Sequence, residues 1–257
     1  MTLTIGISGL CGRMGQTVYA CALAEAGVEV VCGIDRALQQ LPAQRPAQVC
    51  ASAAQLMAEP QVFIDFSRPE GALEVLAWAR EHRAAVVMGT TGFDAGQRRR
   101  LEEAAQHVAL VYAANFSVGV NVLLGLIGKA AAVMAAADVE IIEAHHRHKA
   151  DAPSGTALAM GEAAARGRGR ELSEVMVTQR ACAPGPREDG SIGFAVVRGG
   201  EVVGDHRLLL CADGEQVELA HRAHSRTAFA AGALRAARWV AGRPPGLYSM
   251  QQVLDLA

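Results

Sequence analysis

The apolar segment Leu3–Ser8 runs directly into a glycine-rich turn, Gly9–Gly15, with the sequence GLCGRMG, and a helix-compatible stretch follows. Glycines at such a turn permit a tight bend and let backbone N–H groups approach a pyrophosphate at the helix start. A second apolar segment, Val28–Ile34, ends at Asp35, where an acid can accept hydrogen bonds from an adenosine ribose. This order predicts a dinucleotide-binding fold, although the spacing is GxxGxxG rather than GxGxxG and turn glycines also serve purely structural needs.

The first half continues this alternation of apolar runs and helix-like stretches, which is typical of a parallel sheet with crossover helices. The segment Leu38–Gln55 is rich in Ala, Gln and Pro and is ambiguous. The predicted strands are Leu3–Ser8, Val28–Ile34, Val62–Asp65, Ala85–Met88 and Val108–Tyr112, and the predicted helices are Gly12–Ala24, Pro69–Arg80 and Ala95–Gln106.

After Asn115 the pattern changes to an apolar helix, Val120–Ala136, a strand, Val139–Ala144, and a charged loop. Three later runs read as antiparallel strands, because Gly199-Gly200 and Asp213-Gly214 are typical of tight hairpins. A last helix, Phe229–Ala241, is ended by Pro244-Pro245-Gly246. The three runs are Ile192–Arg198, Glu201–Cys211 and Gln216–His224.

We therefore expect an α/β protein with two domains. Residues 1–116 plus 226–257 are predicted to form a Rossmann-like, doubly wound parallel sheet that binds a dinucleotide. Residues 117–225 are predicted to form a second α+β domain on a mixed or antiparallel sheet, for substrate binding.

The bulk composition excludes several partners. A net charge of -2 supplies no global field to attract nucleic acid or an anionic membrane. No run approaches eighteen uninterrupted apolar residues, and the start of the chain has no basic segment before an apolar one, so we expect neither export nor membrane insertion. The six cysteines are scattered without a CxxC pair, which suits a reducing compartment. We interpret them as small buried hydrophobes, with Cys11 in the glycine turn as an exception.

Further residues of the first half are candidates for the coenzyme site. Arg36 can pair with a 2'-phosphate while Asp35 favours a free ribose, so both NADH and NADPH are expected to bind; a solvated ion pair is the alternative. The turn Gly89–Gly92 and the segment Ala113–Phe116 each follow a predicted strand. Ligands bind beyond the carboxyl ends of parallel strands, so both would border the nicotinamide half of the coenzyme, although each alone could be an ordinary turn.

The most unusual segment is Glu143–Thr156, which carries three histidines, an arginine and a lysine at positions 145–149. Four interpretations compete: an exposed basic loop, a metal site of His145, His146 and His148, a nucleic-acid contact, and a dicarboxylate pocket with an acid catalyst. No separated ligand completes a metal pattern, and aromatic residues are only 4% of the chain, which disfavours a nucleic-acid face. The fourth combines cationic groups with hydroxyls at a helix start, so the residues alone indicate a reductase of a small anionic substrate.

At these residues the sequence resembles the dihydrodipicolinate reductase family, also called 4-hydroxy-tetrahydrodipicolinate reductase, over nearly its whole length. Further matching blocks are IGFAVVRGGEVVGDH at Ile192–His206 and the terminal GLYSMQQVLDL. The main matching segments are SGLCGRMG at Ser8–Gly15, FIDFSRPEG at Phe63–Gly71, GTTGF at Gly89–Phe93, AANFSVGVN at Ala113–Asn121 and EAHHRHKADAPSGTALAMGE at Glu143–Glu162.

The resemblance implies that His145 is the general acid and Lys149 its partner proton donor. It also implies that His146, Gly155 and Thr156 contact substrate carboxylates, with Ser154 close by. The coenzyme, NADH or NADPH, would be held by Gly9, Leu10, Cys11, Gly12, Arg13 and Met14 at the pyrophosphate, by Asp35 and Arg36 at the ribose, and by Gly89, Thr90, Thr91, Ala113, Ala114, Asn115 and Phe116 near the nicotinamide. The family further implies lysine and diaminopimelate biosynthesis, a cytoplasmic location, a homotetramer formed through the second domain, and domain closure; the residues themselves give no reason to expect a metal.

This sequence departs from the family pattern at three places. The stretch after Asp35 is shorter than in many members, Asp35 replaces a Glu of some relatives, and Arg180–Arg187 reads RACAPGPR where TGxR is usual.

Two other functions stay open on the residues alone. One is a non-catalytic coenzyme-binding sensor, and the other is an amino-acid or aspartate-semialdehyde dehydrogenase of the same two-domain plan.

Overall fold

A computed structural model describes residues 2–180 and 185–256 of the chain. These residues form two compact units. The first comprises the described residues up to Val118 and from Arg226 onward, and the second extends from Gly119 to Ser225. The first boundary lies two residues beyond the predicted one.

The first unit is built on seven parallel strands in the order β12-β6-β5-β4-β1-β2-β3. The strand order reverses at β1, whose neighbours are β2 and β4. The strands are β1 (Leu3–Ser8), β2 (Val28–Ile34), β3 (Gln48–Cys50), β4 (Val62–Asp65), β5 (Ala85–Met88), β6 (Ala109–Tyr112) and β12 (Gly246–Tyr248), and the helices are α1 (Arg13–Leu23), α2 (Pro69–His82), α3 (Ala95–Ala105), α7 (Thr227–Val240) and α8 (Met250–Val253).

Side-chain alternation along the strands builds two cores, one on each face of this sheet. On β4, Val62 and Ile64 pack in the core shared with α1 and α7, whereas Phe63 packs in the core shared with α2 and α3. On β5, Val87 and Val86 divide in the same way. Both faces are therefore covered by helices, which confirms the predicted doubly wound arrangement.

The second unit is built on a five-stranded sheet in the order β11-β10-β7-β9-β8. Strand β7 pairs antiparallel with β10 and parallel with β9, so the sheet is mixed. Its core is formed with α4 and α5. The elements are α4 (Val118–Val133), β7 (Asp138–His145), α5 (Gly155–Gly167), α6 (Leu172–Val175), β8 (Met176–Val177), β9 (Ile192–Arg198), β10 (Gly204–Ala212) and β11 (Glu215–Ala223).

One predicted hairpin is correct and the other is wrong. Asp213-Gly214 joins β10 to β11, and Gly214 has the positive φ of 86° that such a turn requires. By contrast, Gly199-Gly200 does not fold β10 back onto β9, because β7 lies between these strands and β9 pairs with β7 in parallel. The glycine segment instead crosses the end of β7, where Gly199 N–H donates to the carbonyl of His145.

The cysteine interpretation needs correction. Among the described residues only Cys32 is fully buried, whereas Cys11, Cys21, Cys50 and Cys211 are partly exposed free thiols. Cys182 lies outside the described residues.

The described helices offer none that combines the length and apolarity needed to cross a bilayer. The Arg180–Arg187 segment is described only at its ends. There Arg180 pairs with Glu140 at 2.6 Å, and Arg187 pairs with Asp138, so both arginines are tied to β7.

Candidate active site

The glycine turn after β1 is too tight for side chains. Gly9 has φ of 77°, and a Cβ there would lie 2.5 Å from the carbonyl oxygen of Phe66. A Cβ on Gly15 would overlap the carbonyl oxygen of Gly9. Helix α1 begins directly after Gly12, and no described side chain caps its N-terminus. The turn therefore leaves backbone and the positive helix end for an anion, as a pyrophosphate requires.

Asp35 ties this turn to the end of β2. Its Oδ2 accepts a hydrogen bond from Cys11 N–H at 2.7 Å, and its Oδ1 accepts one from Ala37 N–H at 2.8 Å. Each carboxylate oxygen has a second lone pair, so ribose hydroxyls can still donate to Asp35. The residue that sequence reasoning assigned to the ribose thus also holds the turn.

A cleft of about 480 Å³ opens beside these residues, at the carboxyl ends of β1, β2 and β4. This is the point where the strand order reverses, which is where open α/β sheets bind ligands. Arg36 and Glu74 line it together, with Arg36 Nη2 2.8 Å from Glu74 Oε1. The residues present fit a dinucleotide. The residues that line the cleft include Ser8, Gly9, Cys11, Gly12, Asp35, Arg36, Ser67, Arg68 and Glu74.

Other predicted coenzyme residues differ in what their side chains can do. Leu10 is fully buried in the core, so only its backbone can serve the turn. Arg13 is exposed, and Met14 packs partly against the core. Phe116 is also a core residue, and its ring meets that of Phe66 edge to face at 5.8 Å.

The two later turns follow β5 and β6 at the same edge of the sheet. Gly89 and Thr91 flank Thr90, which is buried and donates to Asp65 Oδ2 at 2.6 Å. Ser67 donates to the other oxygen of Asp65, also at 2.6 Å. Burial raises the pKa of Asp65, although these hydroxyl hydrogen bonds oppose the shift. Asp65 therefore anchors the Gly89–Gly92 turn, a role that sequence reasoning missed although an acid at a buried strand end was visible.

The segment Ala113–Phe116 continues this edge after β6. Ala113 is partly buried and Ala114 is exposed, while Asn115 Oδ1 accepts a hydrogen bond from Ser117 N–H at 2.8 Å. The amide of Asn115 thereby shapes the end of this segment, before the chain leaves the first unit.

In the second unit, Glu143 is the centre of a buried polar cluster. Its side chain is only 1% exposed, and Oε2 lies 2.6 Å from His145 Nδ1. Arg198 binds both carboxylate oxygens, at 2.7 and 2.8 Å. Ser154 N–H donates to Oε1 at 3.0 Å. Residues two apart on a strand share a face, so Glu143 and His145 point the same way from β7.

The register of the sheet brings Arg198 into this cluster. Arg198 ends β9 directly beside His145, and its Nη2 also donates to the carbonyl of Asp151 at 2.7 Å. Sequence reasoning missed both Glu143 and Arg198. An acid two residues before a candidate histidine was the available signal for Glu143, whereas the pairing of β7 with β9 was not readable from the sequence.

The electrostatics of the cluster favour a neutral but protonatable His145. Burial lowers the pKa of His145, the charges of Lys149 and Arg198 lower it further, and Glu143 opposes them. Burial favours a protonated Glu143, but the hydrogen bonds from Arg198, His145 and Ser154 outweigh it and hold the pKa of Glu143 below its ordinary value. Glu143 binds Nδ1, so Nε2 is the nitrogen left for proton transfer.

Helix α5 begins in contact with the same cluster. Ser154 caps the helix, since its Oγ accepts a hydrogen bond from Ala157 N–H at 3.2 Å. The same Oγ lies 2.9 Å from His206 Nε2. Gly155 is exposed, and a Cβ there would meet open space, so an anion can approach the first N–H groups of Gly155 and Thr156.

The remaining loop residues divide into two groups. Lys149 is 21% exposed and pairs with Asp151 at 2.8 Å, while His146 is half-buried and its N–H donates to Val202. Arg147 and His148 are exposed, as the basic-loop interpretation expected. Among the described residues, no group of three or more His, Cys, Asp or Glu side chains is arranged to hold a metal ion.

Comparison with known proteins gives one family for both units. The family model described as dihydrodipicolinate reductase, N-terminus, matches residues 3–116, and the model described as dihydrodipicolinate reductase, C-terminus, matches residues 119–254. A dipicolinate-bound dihydrodipicolinate reductase from Paenisporosarcina sp. TG-14 is 26% identical, with a TM-score of 0.79, and the match covers 98% of this chain and 99% of that chain.

More distant structures share the fold alone. An amine dehydrogenase from Mycobacterium smegmatis is 14% identical with a TM-score of 0.64, covering 97% of this chain and 95% of that chain. A C. glutamicum DAP dehydrogenase in complex with DAP is also 14% identical, with a TM-score of 0.57, covering 97% and 93%. Because the two family models together span nearly the whole sequence, the chain belongs to the dihydrodipicolinate reductase family and is an NAD(P)H-dependent oxidoreductase of lysine and diaminopimelate biosynthesis.

Proposed function

We propose that this protein reduces the cyclic dicarboxylate 4-hydroxy-tetrahydrodipicolinate to tetrahydrodipicolinate and that its two units have different roles in this reaction. The first unit holds NADH or NADPH, and the second unit holds the substrate and protonates it. The observation that carries the assignment is the buried Glu143–His145 pair, 2.6 Å apart and adjoining the start of α5. A carboxylate that orients a histidine beside an anion-binding helix end suits acid catalysis on a diacid.

The reaction implied for this family saturates one ring bond. After the 4-hydroxyl leaves as water, a hydride adds at C4 and a proton adds at the neighbouring carbon. NADH or NADPH supplies the hydride. His145 supplies the proton from Nε2, because Glu143 occupies Nδ1 and stabilises the imidazolium until the proton leaves. Lys149 contributes positive charge beside His145 and serves as its partner donor.

The two carboxylates of the substrate need separate positive partners. One carboxylate is proposed to bind the N–H groups of Gly155 and Thr156 at the start of α5, with Ser154 beside them. For the other, His146 and Lys149 are proposed, since both lie in the loop that connects β7 to this helix. Protonation of the ring requires the substrate to stay oriented, and two such anchors fix a planar diacid.

Coenzyme binding is assigned to the turn and cleft of the first unit. Gly9–Met14 would cradle the pyrophosphate, Asp35 would accept from the ribose, and Arg36 would pair with a 2'-phosphate. Gly89, Thr90 and Thr91, with Ala113, Ala114, Asn115 and Phe116, would border the nicotinamide, because both segments follow strands of the same sheet edge.

The experiment is a comparison of His145→Ala with His148→Ala. We expect His145→Ala to lower turnover by about 10²-fold or more, because proton transfer contributes that much in typical enzymes. His148 is an exposed histidine of the same loop and its variant should keep wild-type turnover. Both variants should bind NADH as the wild type does. Equal loss of coenzyme affinity and turnover in His145→Ala would show that the loop has been misassigned.

The same assay separates the rival functions. The coenzyme absorbance is followed with 4-hydroxy-tetrahydrodipicolinate as substrate, and then with aspartate and NAD. Oxidation of NADH or NADPH with the first substrate alone is expected. No turnover with either would favour a coenzyme-binding sensor, and turnover with the second would favour an amino-acid dehydrogenase.

We also propose a homotetramer that forms through the second unit. The helices of its core cover one face of the sheet, whereas neighbouring strands present Ile142, Ala195, Val197 and Leu209 on the opposite face. Val197 is 52% exposed, so this apolar group gains from a partner surface. Sedimentation should give four times the chain mass, and Val197→Lys should lower it.

A cytoplasmic location is proposed from the scattered cysteines, and cell fractionation tests it.

A further inference from the structure

His206 is a buried histidine that the proposed reaction does not use. It lies on β10 opposite Glu143 and is 4% exposed. Its Nε2 lies 2.9 Å from Ser154 Oγ, and its ring meets the ring of His145 at 74° with centroids 4.9 Å apart. His206 therefore contacts both the proposed acid and the cap of the proposed carboxylate site.

The surroundings keep His206 neutral. Burial lowers its pKa to about 4, and the nearby His145 acts in the same direction, against the weaker opposing charge of Glu143. A neutral imidazole carries one N–H and one bare nitrogen. Which nitrogen carries the proton decides whether Ser154 donates to His206 or accepts from it.

Hydrogen-bond accounting selects Nε2 as the protonated nitrogen. His206 Nδ1 is buried and has no hydrogen-bond partner among the described residues. A proton on Nδ1 would leave a buried donor without an acceptor, which native structures avoid more strongly than an unpaired acceptor. The Nε2–H tautomer instead donates to Ser154 Oγ.

This choice determines what the Ser154 hydroxyl can do. Its oxygen accepts from Ala157 N–H and from His206, which uses both lone pairs. Its own proton must then go to another acceptor. The exposed Gly155 at the start of α5 leaves room for a carboxylate next to Ser154.

We propose that His206 is a positioning residue, whose Nε2–H donates to Ser154 Oγ and thereby directs the Ser154 hydroxyl proton to a substrate carboxylate. The inference rests on the proposed function, because it concerns the same dicarboxylate site. It adds a residue on β10 that positions a substrate-binding side chain, and it explains why a buried histidine contacts the residue that caps α5.

The direct test uses the wild-type protein. Histidine ¹⁵N chemical shifts distinguish the two neutral tautomers, and His206→Gln identifies the signal. We expect the Nε2–H form at neutral pH, both free and with dipicolinate. Observation of the Nδ1–H form would overturn the proposal.

The functional test measures dipicolinate dissociation constants for Ser154→Ala, His206→Leu and the double variant. Each single variant should weaken dipicolinate binding by about tenfold, the lower end of the effect of one hydrogen bond to a charged group, with NADH binding unchanged. The double variant should bind dipicolinate no more weakly than the weaker-binding single variant does, since both substitutions remove the same hydrogen bond. His206→Gln, which keeps a donor near Nε2, should stay within about threefold of wild type.

Steady-state kinetics supply a readout that a structural role would not give. His206→Leu should raise KM and leave kcat within about threefold, because the bond is made equally to the bound substrate and to the transition state. Additive effects in the double variant would overturn the role of His206 alone. If the wild-type protein fails to bind dipicolinate, the proposed dicarboxylate site falls as well.

Discussion

Replacing Glu143 by glutamine is expected to shift the pH dependence of turnover to lower pH. The carboxylate stabilises protonated His145 through a buried contact of 2.6 Å. A hydrogen bond to a charged group in such a setting contributes about 1.5 to 3 kcal/mol. Its loss corresponds to an about tenfold to hundredfold smaller protonated fraction on the alkaline limb of the profile. On the acidic side His145 is protonated in both proteins, so their rates should converge.

Arg198→Gln provides the opposite perturbation of the same group. The positive charge of Arg198 lowers the pKa of His145, so its removal should shift the profile to higher pH. The shift should be smaller, because Arg198 acts on His145 by charge and has no hydrogen bond to it among the described residues. The two variants alter neighbouring atoms of one cluster but predict displacements of opposite sign.

The assay is kcat/KM from about pH 5 to about pH 9, followed by coenzyme absorbance. Thermal unfolding and the NADH dissociation constant serve as controls, because a buried charge without its partner destabilises a protein. Glutamine at position 143 keeps an acceptor for Arg198 and Ser154, which limits that cost. A uniform fall of kcat/KM at every pH, or shifts of the same sign in both variants, would refute the role of Glu143 in setting the acid.

Three further outcomes are expected. Arg36→Ala should weaken NADPH by about tenfold and leave NADH unchanged, whereas Glu74→Gln should strengthen NADPH because it frees Arg36; equal effects on both coenzymes would remove the 2'-phosphate role. Gly15→Ala should abolish coenzyme binding and lower Tm, while Gly199→Ala, where a methyl group meets open space, should change neither. The free energy of unfolding should fall by up to roughly 3 kcal/mol between about pH 6.5 and pH 4, because the unfolded chain protonates His206 in that window and the folded one, with a pKa of about 4, does not. Urea unfolding at pH 7 and pH 5 measures this, and His206→Gln should remove the His206 part of the dependence, while His145 and His221, whose pKa values are also lowered, keep theirs.

The parallel sheet was readable from the sequence because its strands are buried on both faces. Continuous apolar runs such as Val62–Asp65 and Ala85–Met88 appear at their observed bounds, and the second run ends at the glycine of the Gly89–Gly92 turn. Short strands were missed because three residues carry no pattern: β3 lies in the ambiguous segment, and β12 follows Pro244-Pro245. The local sequence determines where a long strand or helix forms, but it does not determine which strand pairs with which.

The mixed sheet shows what local reasoning misses. Gly199-Gly200 has the composition of a tight turn, yet the chain crosses the end of β7 there. Pairing between β7 and β9 joins residues far apart in sequence, and it alone brings Arg198 to Glu143. The histidine loop was therefore recognised from the sequence, whereas the role of Arg198 in organising it could be identified only from the tertiary structure.

The double duty of Asp35 limits how coenzyme preference can change in this protein. Its carboxylate accepts hydrogen bonds from the N–H groups of both Cys11 and Ala37. A substitution of Asp35 that changes ribose recognition therefore also removes hydrogen bonds that hold the pyrophosphate-binding turn. Arg36 and Glu74, by contrast, are solvent-facing, and their side chains make no hydrogen bond to the backbone of the part of the chain that the structure describes. Engineering or natural drift between NADH and NADPH is thus expected to proceed through positions 36 and 74, with the acid at position 35 left in place.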